Sequence, residues 1–491
     1  MKETLISVGI DLGTSTTQII FSKLSVENLA SAYAVPDIKI TGREIIYESK
    51  IYFTPLLSKT EIDGEGIKKI VSDEYRKAGI KPEDVKTGAV IITGETARKE
   101  NAAVILETLS NFAGEFVVST AGPDLESVLS GFGSGAASIS ENEKSVIVNV
   151  DIGGGTSNIS VFKNGNIQDV CCLDVGGRLI KVDSASGKIT YIYSKFKDLL
   201  DKAGVYLPED SYAIVSSLKF VTDKMADILA CALGLADVEM SDAAFNTTLA
   251  DRGFYTNDGK GLNCRKSLKI DGITFSGGVG TILYEILSGK QFSDNIFEYG
   301  DIGVLLALSI FESPYFSKLN IRIPKETIRA TVIGAGMYTT EISGSTILYS
   351  MEALPLKNVP VLFVNEEETS KINEVLQKNL SFYANQQTFN PVAISLDGFL
   401  SVDYDSIQLL AKKIMDGAGV LIQNRLPLII VLQNDIAKAL GFALRSILPE
   451  NYPLVCIDSI RAKNGDYIDI GMPVAGNQVL PVVIKTLVFN S

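Results

Sequence analysis

The sequence predicts an α/β protein built from two related lobes, and three features lead to this expectation. The segment "VGIDLGTSTTQIIF" (residues 8–21) is typical of a strand, a tight turn and a second strand, and "VNVDIGGGTSNISVF" (148–162) repeats that design. Each segment opens a run that mixes strands with helices, which differs from the regular alternation of one doubly wound sheet. At about 150 residues per domain, 491 residues are enough for more than one such unit.

The first lobe is expected to cover residues 1–144. Its opening hairpin is predicted over residues 4–24, because apolar side chains alternate before and after the glycine turn. The elements predicted after it are a buried strand at 89–94, a helix at 98–114, a strand at 115–122 and a helix that begins at Pro123. Residues 36–88 mix strand-like runs with a charged helical stretch, and we expect there an insertion that contacts a partner.

The second lobe is expected to cover residues 145–491. Residues 145–177 predict three strands, the last two joined by the hairpin signal Asn164-Gly165. "GITFSGGVG" (272–280) predicts a strand that runs into a glycine turn, and "IRATVIGAGMYTTEISGSTI" (328–347) repeats that pattern. The chain closes with a region that we expect to be rich in β-structure.

Composition excludes several classes of function. The net charge of −13 disfavours a nucleic-acid partner, although backbone N–H groups can still bind the phosphate of a nucleotide. The absence of histidine removes Ser-His-Asp and Cys-His nucleophile systems and histidine metal ligands. Five scattered cysteines without a C-x-x-C pair indicate reduced thiols, and no signal peptide or membrane-spanning stretch is found, so we expect a cytoplasmic protein without direct membrane insertion.

Neither standard glycine-rich phosphate motif accounts for the two turns. No G-x-x-x-x-G-K-[ST] occurs, which excludes a P-loop. A dinucleotide-binding fingerprint needs its glycines to open a helix, whereas here strand-forming residues follow both turns. What remains is a β-hairpin whose turn points backbone N–H groups at an anion. Glycine is expected there because it accepts positive φ values and permits a close approach of phosphate.

The aspartate at the mouth of each turn completes the predicted site. Asp11 and Asp151 would repel a bare phosphate, so we expect them to hold hydrated Mg²⁺ against it and to act as the catalytic carboxylates. Either turn alone is compatible with a plain tight hairpin, and it is the repetition in one chain that favours a polyphosphate gripped from both sides. The expected phosphate-binding residues are Gly13, Thr14, Ser15 and Thr16 in the first turn and Gly153, Gly154, Gly155 and Thr156 in the second.

These two turns resemble the first and second phosphate loops of the actin, Hsp70 and sugar-kinase superfamily. The resemblance implies two lobes with RNase H-like subdomains and ATP or ADP with Mg²⁺ in the cleft between them. It also implies an adenosine loop, for which two segments qualify equally: one with Gly277 and Gly278, the other with Gly334 and Gly336.

Nearly end to end, the chain further resembles the ethanolamine ammonia-lyase reactivating factors. The stretches that carry this resemblance are "ITGETARKENA" (92–102), "STAGPDLESVLSGFGSGA" (119–136), the second turn, "IRATVIGAGMYTTEISGSTI" and "NGDYIDIGMPV" (464–474). The resemblance implies an ATP-dependent chaperone for the lyase, which expels damaged cobalamin so that intact adenosylcobalamin can enter. It leaves open whether the protein works free in the cytoplasm or in a bacterial microcompartment.

One departure from the superfamily pattern bears on the rate of hydrolysis. Hsp70-like proteins carry a glutamate or glutamine before the connecting helix, where it helps to orient the attacking water, and this chain has Gly122 there. Asp124 and Glu126 are possible substitutes, although acidic residues at a helix start are favoured by the helix dipole alone. The departure predicts a slow ATPase suited to a switch.

Two other functions stay open at this point. The first is a small-molecule kinase or an ATP-dependent amidohydrolase subunit of the same superfamily, and for a kinase Asp151 is available as the carboxylate base. An actin-like filament protein would need a basic amphipathic tail, which "LPVVIKTLVFNS" does not provide.

Overall fold

The structure is a computed structural model of the chain. The residues that it describes are 2–13, 16–31, 36–58, 60–93, 96, 99–114, 117–121, 123–202, 205–236, 254–256, 261–264, 267–292, 296–384, 390–397 and 403–486. Across this part of the chain, no helix combines the length and the apolarity that crossing a membrane requires.

The first sheet lies in the N-terminal part of the chain. Its strands are β1 (Lys2–Leu12), β2 (Thr16–Asn28), β3 (Ile38–Glu48), β4 (Tyr52–Phe53), β5 (Val85–Ile92) and β6 (Val117–Ala121). They lie in the order β3-β2-β1-β5-β6, with β4 extending the β3 side of β2. The first three strands are antiparallel, and β5 and β6 continue the sheet in parallel with β1. The predicted opening hairpin and both later strands are confirmed.

Four helices follow in chain order: α1 (Gly64–Ala78), α2 (Ala102–Ala113), α3 (Pro123–Gly133) and α4 (Ala136–Glu143). The first two pack against this sheet, and α3 and α4 pack mainly against the second sheet. The side chain of Asp63 caps the start of α1 by accepting a hydrogen bond from the Gly66 N–H, and Gly79 ends the helix at φ 68°. The predicted helix start at Pro123 is confirmed, since proline needs no N–H at the first helical position.

The second sheet repeats the arrangement of the first. After α4 come β7 (Val146–Ile152), β8 (Ser157–Lys163), β9 (Asn166–Leu173), β10 (Ile180–Val182), β11 (Ile189–Ile192) and β12 (Gly272–Ser276). The sheet order is β12-β7-β8-β9, in which three antiparallel strands are followed by a parallel one, while β10 and β11 form a separate pair. Asn164 and Gly165 both have positive φ, so the predicted hairpin is confirmed.

Five more helices follow: α5 (Ser194–Lys202), α6 (Val215–Ala232), α7 (Gly277–Leu287), α8 (Gly303–Glu312) and α9 (Ala330–Tyr338). The last of them, α9, packs against β1, β2 and β5 of the first sheet. Cys171 and Cys172 are buried in β9, and burial raises the pKa of both thiols. An antiparallel hairpin extended by parallel strands therefore occurs twice, and this duplication gives the two-lobed fold of the actin and Hsp70 type.

One predicted element is wrong. Residues 330–338 form helix α9, where the sequence predicted a strand that ends in glycines. The glycines of this helix allow very close packing instead. A Cβ at Gly334 would lie 2.1 Å from the backbone oxygen of Leu129 in α3, and one at Gly336 would lie 3.1 Å from the backbone nitrogen of Gly9 in β1.

A third, mixed sheet of eight strands occupies the C-terminal part. Its strands are β13 (Glu341–Ile342), β14 (Leu348–Tyr349), β15 (Leu356–Val364), β16 (Ala393–Leu396), β17 (Leu428–Leu432), β18 (Leu454–Ile457), β19 (Asp466–Ile470) and β20 (Pro481–Thr486). Its helices are α10 (Ile372–Ala384), α11 (Tyr404–Gly417), α12 (Gly419–Gln423) and α13 (Ala437–Ile447). The lobe boundary at residues 144 and 145, which falls between β6 and β7, stays a prediction.

Candidate functional site: the cleft between the two repeated sheets

An open cleft lies where the two repeated sheets face each other. The first sheet contributes Asp11, Gly13, Thr16, Gln18 and Thr93 to its walls. The second side contributes both the turn after β7 and the start of α7: Asp151, Gly153, Gly154, Gly155, Thr156, Gly277 and Gly278. Most of the residues singled out by the two sequence motifs therefore converge on one cavity.

The two turns are closed by the same backbone hydrogen bond. The Gly13 N–H donates to the Thr16 carbonyl at 2.8 Å, and the Gly153 N–H donates to the Thr156 carbonyl at 3.0 Å. In the second turn, no described residue accepts a hydrogen bond from the N–H groups of Gly154, Gly155 or Thr156. Free N–H groups that line a cleft are ready donors for an anion.

The reason for glycine in these turns differs from the expected one. Gly13 and Gly153 to Gly155 do not have positive φ, so that part of the expectation is wrong, whereas Gly277 has φ 79°. A Cβ at Gly278 would meet nothing within 4 Å, and a Cβ at Gly153 would meet its nearest atom at 3.6 Å. Among the residues that the structure describes, no steric contact explains glycine at these two positions, and both line the open cleft.

The two aspartates are strongly desolvated. Burial raises the pKa of Asp11 to about 7, opposed by a hydrogen bond from the Thr93 hydroxyl at 3.0 Å and reinforced by the charge of Asp151. Burial likewise raises the pKa of Asp151 to about 6, opposed by hydroxyl donors on Ser276 at 2.5 Å and Thr331 at 3.4 Å. Two buried carboxylates that repel each other form a site that a cation would stabilise.

A buried amide stands across the strand pair from each aspartate. Gln18 pairs with Asp11 in the register of β1 and β2, and Asn158 pairs with Asp151 in the register of β7 and β8. Both side chains are almost fully buried, and the side-chain oxygen of each has no hydrogen-bond partner among the described residues. The Gln18 amide nitrogen donates to the Ile328 carbonyl at 3.2 Å, which fixes its oxygen as the free atom.

An ion pair closes the far end of the cleft. The Arg178 guanidinium contacts the Asp301 carboxylate at 3.1 Å, and Asp301 also accepts a hydrogen bond from the Gly303 N–H at 2.8 Å. The Arg178 N–H donates to the Gly154 carbonyl at 2.6 Å, so this ion pair is joined directly to the second turn. Glu285 and Tyr299 line the same region.

The structure separates the two candidate adenosine segments. Gly277 and Gly278 line the cleft, whereas Gly334 and Gly336 lie in the packed helix α9 and are not among the residues that line it. The residue of α9 that does reach the cleft is Thr331. Thr14, Ser15 and Gly122 lie outside the described residues.

The sequence did not single out several residues that line the cleft. They are Gln18, Thr93, Gly177, Arg178, Val279, Thr281, Ile282, Glu285, Tyr299, Asp301, Gly303, Ile328 and Thr331. One signal was available for Gln18, because an amide follows the aspartate by seven residues in both motifs, at Gln18 and at Asn158. Of the two possible substitutes for Gly122, Glu126 lines the cleft and Asp124 is exposed outside its lining.

The repeated sheets and the cleft between them define the class of protein: a two-lobed protein with the actin and Hsp70 type of fold. Within that class, the profile of the family described as "Ethanolamine utilisation protein EutA" matches residues 3–490. The chain therefore belongs to the EutA family.

Two relatives match over almost the whole chain. The chain is 36% identical over 490 residues to a Salmonella typhimurium protein named "Ethanolamine ammonia-lyase reactivase EutA", with 99% of each chain covered. It is 36% identical over 487 residues to the Escherichia coli protein of the same name, again with 99% of each covered.

Solved structures are more distant. An Aquifex aeolicus member of the Ppx/GppA family is 14% identical with a TM-score of 0.38, covering 68% of this chain and 97% of that one. The ethanolamine utilization protein EutJ from Carboxydothermus hydrogenoformans is 14% identical with a TM-score of 0.32, covering 68% of this chain and 89% of that one. These TM-scores are too low to support an argument about the fold, which rests here on the strand order of the two repeated sheets.

Proposed function

We propose that this protein is a reactivating factor for ethanolamine ammonia-lyase that works as a nucleotide-switched chaperone. The observation that carries the proposal is the match along 99% of the chain to two proteins named as such reactivases. In this mechanism the nucleotide state sets the angle between the lobes and so changes a surface that competes with the lyase's own subunit contacts. Opening those contacts releases damaged cobalamin, and intact adenosylcobalamin enters.

In this proposal the lobes are residues 1–144 and residues 145–491, and ATP lies between them. The free N–H groups of the second turn hold the phosphates together with the first turn, in which Thr14 and Ser15 are assigned by the resemblance alone. Gly277 and Gly278 form the adenosine loop, because both line the cleft and a Cβ at Gly278 would meet no described atom within 4 Å. Gly334 and Gly336 have a packing role instead.

The carboxylates fit a magnesium ion. Mg²⁺ prefers oxygen ligands and is commonly held by one or two carboxylates, with waters and substrate phosphates as the other ligands. Asp11 and Asp151 supply two buried carboxylates, and no cluster of three or more metal-ligating side chains occurs in the described ranges. When bound, the ion would neutralise charge on the phosphates, and Asp11 and Asp151 are the residues that would hold it.

We assign the orientation of the attacking water to Gln18. Its side chain is 4% exposed, and its anchored amide leaves one oxygen at the cleft that has no partner among the described residues. A buried acceptor without a partner costs about 1–3 kcal/mol, which a water in the cleft would recover. A Gln18→Met variant, similar in length but without the amide, is expected to bind MgATP as the original does and to hydrolyse it about tenfold more slowly. Single-turnover hydrolysis at saturating protein separates the two effects, and a loss of affinity with unchanged hydrolysis would contradict the assignment.

The proposed function is tested by recovery of the lyase. Ethanolamine ammonia-lyase is inactivated during turnover and then mixed with this protein, MgATP and excess adenosylcobalamin. Recovery of lyase activity is expected with the original protein and MgATP. No recovery is expected when ATP is omitted or when an Asp151→Asn variant replaces the original protein. Recovery that does not depend on ATP would remove the nucleotide switch. No recovery by a protein that still binds MgATP would remove the reactivase function, and a screen for a small-molecule phosphoryl acceptor would follow.

A further inference from the structure

Residues 51–57 expose an unusual amount of apolar surface. Phe53 is 82% exposed and Leu57 is 67% exposed, and Ile51 and Leu56 are exposed at 40% and 44%. We call these four side chains the apolar segment. A single exposed leucine is ordinary in a folded protein, but four large apolar side chains within seven residues of chain indicate an interaction surface.

The backbone beneath the apolar segment is held in place. Leu56 pairs with Ile62 in an antiparallel bridge, and the Leu57 N–H donates to the Glu61 carbonyl at 3.0 Å. The Asn101 side chain both accepts from and donates to the backbone of Ile62 at 2.9 Å. Because its backbone is anchored in this way, the segment presents its side chains to solvent in a preorganised arrangement, which lowers the entropic cost of binding.

The same segment contacts the first turn of the cleft directly. β4 pairs with the start of β2, so that Phe53 lies opposite Thr16. The Thr54 hydroxyl donates to the Gly13 carbonyl at 2.9 Å and lies 3.2 Å from the Thr17 hydroxyl. A movement of the turn on binding nucleotide would therefore be passed to the apolar segment through one buried residue, Thr54.

We infer that the apolar segment is a docking surface for an apolar patch of ethanolamine ammonia-lyase and that its contact depends on the nucleotide state. The inference rests on the proposed function. The size of the surface decides between this occupant and a second copy of the chain. Its four side chains expose roughly 400 Å², about half of what each partner of a stable complex buries. This area fits a client that is bound and released in each cycle better than a permanent homodimer.

The test compares lyase binding by the full-length protein, by one double variant and by one single variant that serves as the control. In Phe53→Ser/Leu57→Ser, both changes are at exposed positions, so folding should be preserved. We expect at least a tenfold loss of affinity for inactivated lyase, a matching loss of reactivation and unchanged MgATP affinity. The matched control is Phe442→Ser on α13, where the side chain is 58% exposed and lies far along the chain from the cleft residues. That variant should stay within twofold of the original.

A Thr54→Val variant tests the coupling. It keeps the apolar segment and removes the hydroxyl that bonds Gly13, so lyase affinity should respond severalfold less to the exchange of ADP for ATP. Full reactivation by the double variant would overturn the docking surface and leave the proposed function intact. If the wild-type protein is a dimer and the double variant is a monomer, the apolar segment is a contact between two copies of this chain and not a docking surface for the lyase. Failure of the wild-type protein to reactivate the lyase would remove both proposals.

Discussion

The hairpins around Asp11 and Asp151 share their backbone and differ in what holds their carboxylates. Both turns are closed by the same hydrogen bond, and a buried amide stands opposite each aspartate. Asp151, however, accepts hydrogen bonds from Ser276, Thr331 and the Asn158 side chain, whereas the donor to Asp11 is Thr93. The pKa is accordingly raised less for Asp151, to about 6, than for Asp11, to about 7.

A chain of buried polar groups lies behind the second hairpin. The Asn149 side-chain amide nitrogen donates to the Ser276 hydroxyl at 3.0 Å, and the Thr274 hydroxyl donates to the Asn149 side-chain oxygen Oδ1 at 2.9 Å. All three side chains are fully buried, so each can form its hydrogen bonds in only one orientation. A repeated motif therefore need not have repeated roles. We expect Asp151 to be the preorganised anion and Asp11 the group whose protonation changes when a ligand binds.

The largest expected effect separates the two aspartates. Asp151→Asn should weaken MgATP binding at pH 7 about 100-fold or more, because it removes the better ionised carboxylate from a water-poor site. Asp11→Asn should weaken it about tenfold, since the free energy needed to ionise the original Asp11 offsets part of its attraction to a cation. Titration of both variants with a fluorescent nucleotide and Mg²⁺ checks the order. A larger loss in Asp11→Asn would reverse the assignment of roles.

A smaller effect is expected from the hydroxyl donors. Ser276→Ala removes the short hydrogen bond to Asp151 and breaks the buried chain, so Mg²⁺-dependent nucleotide affinity should fall about tenfold. Thr93→Val makes the matching change at Asp11, where no such chain was found behind the donor in the described residues, and should cost about threefold.

Ser276→Thr serves as the control for position, because it keeps the hydroxyl. Binding measured against pH gives a second readout, in which the midpoint attributed to Asp151 should move upward in Ser276→Ala and not in Ser276→Thr. Equal losses in Ser276→Ala and Thr93→Val would mean that the buried chain contributes nothing.

Much of the fold follows from local signals, and for that reason it could be predicted. Asn164-Gly165 makes the hairpin turn it indicates, because both residues accept positive φ. Pro123 opens a helix, because proline fixes its own φ and needs no N–H at the first helical position. Residues 330–338 show the limit. A short apolar run with glycines is compatible with a strand or a buried helix, and here packing against α3 and β1 decided for the helix.

The site was partly predictable for the same reason. Both aspartates and the glycines of the second turn line the cleft and could be singled out, because each aspartate lies in a short continuous motif with its own turn. Arg178, Asp301 and Thr331 come to the cleft only through tertiary packing, and no local pattern marks them. The paired amides at Gln18 and Asn158 are an intermediate case. Their repeated spacing was visible in the sequence, but only the structure shows that both are buried beside the aspartates.

The smallest expected effect is the number of protons released when MgATP binds, and it tests most directly whether Asp11 and Asp151 differ in protonation. At pH 6.5 and without metal, pKa values of about 7 for Asp11 and about 6 for Asp151 place about one proton on the pair. Holding Mg²⁺ needs both carboxylates ionised, so MgATP binding should release about one proton at pH 6.5 and almost none at pH 8.5. Calorimetry in buffers of different ionisation enthalpy measures the number.

The variants assign that proton. Because Asp11 has the higher pKa, Asp11→Asn should remove the larger share of the release and Asp151→Asn the smaller one.

The same pKa values fix how the stability of the metal-free protein changes with pH. A carboxylate whose folded-state pKa is raised destabilises the fold above its unfolded value, so the metal-free protein should lose stability as the pH rises from about 4 to about 7. Asp11→Asn should reduce that loss. Release that neither substitution changes would place the titrating group on the nucleotide itself, and the contrast between the two hairpins would then lie in their hydrogen bonds alone.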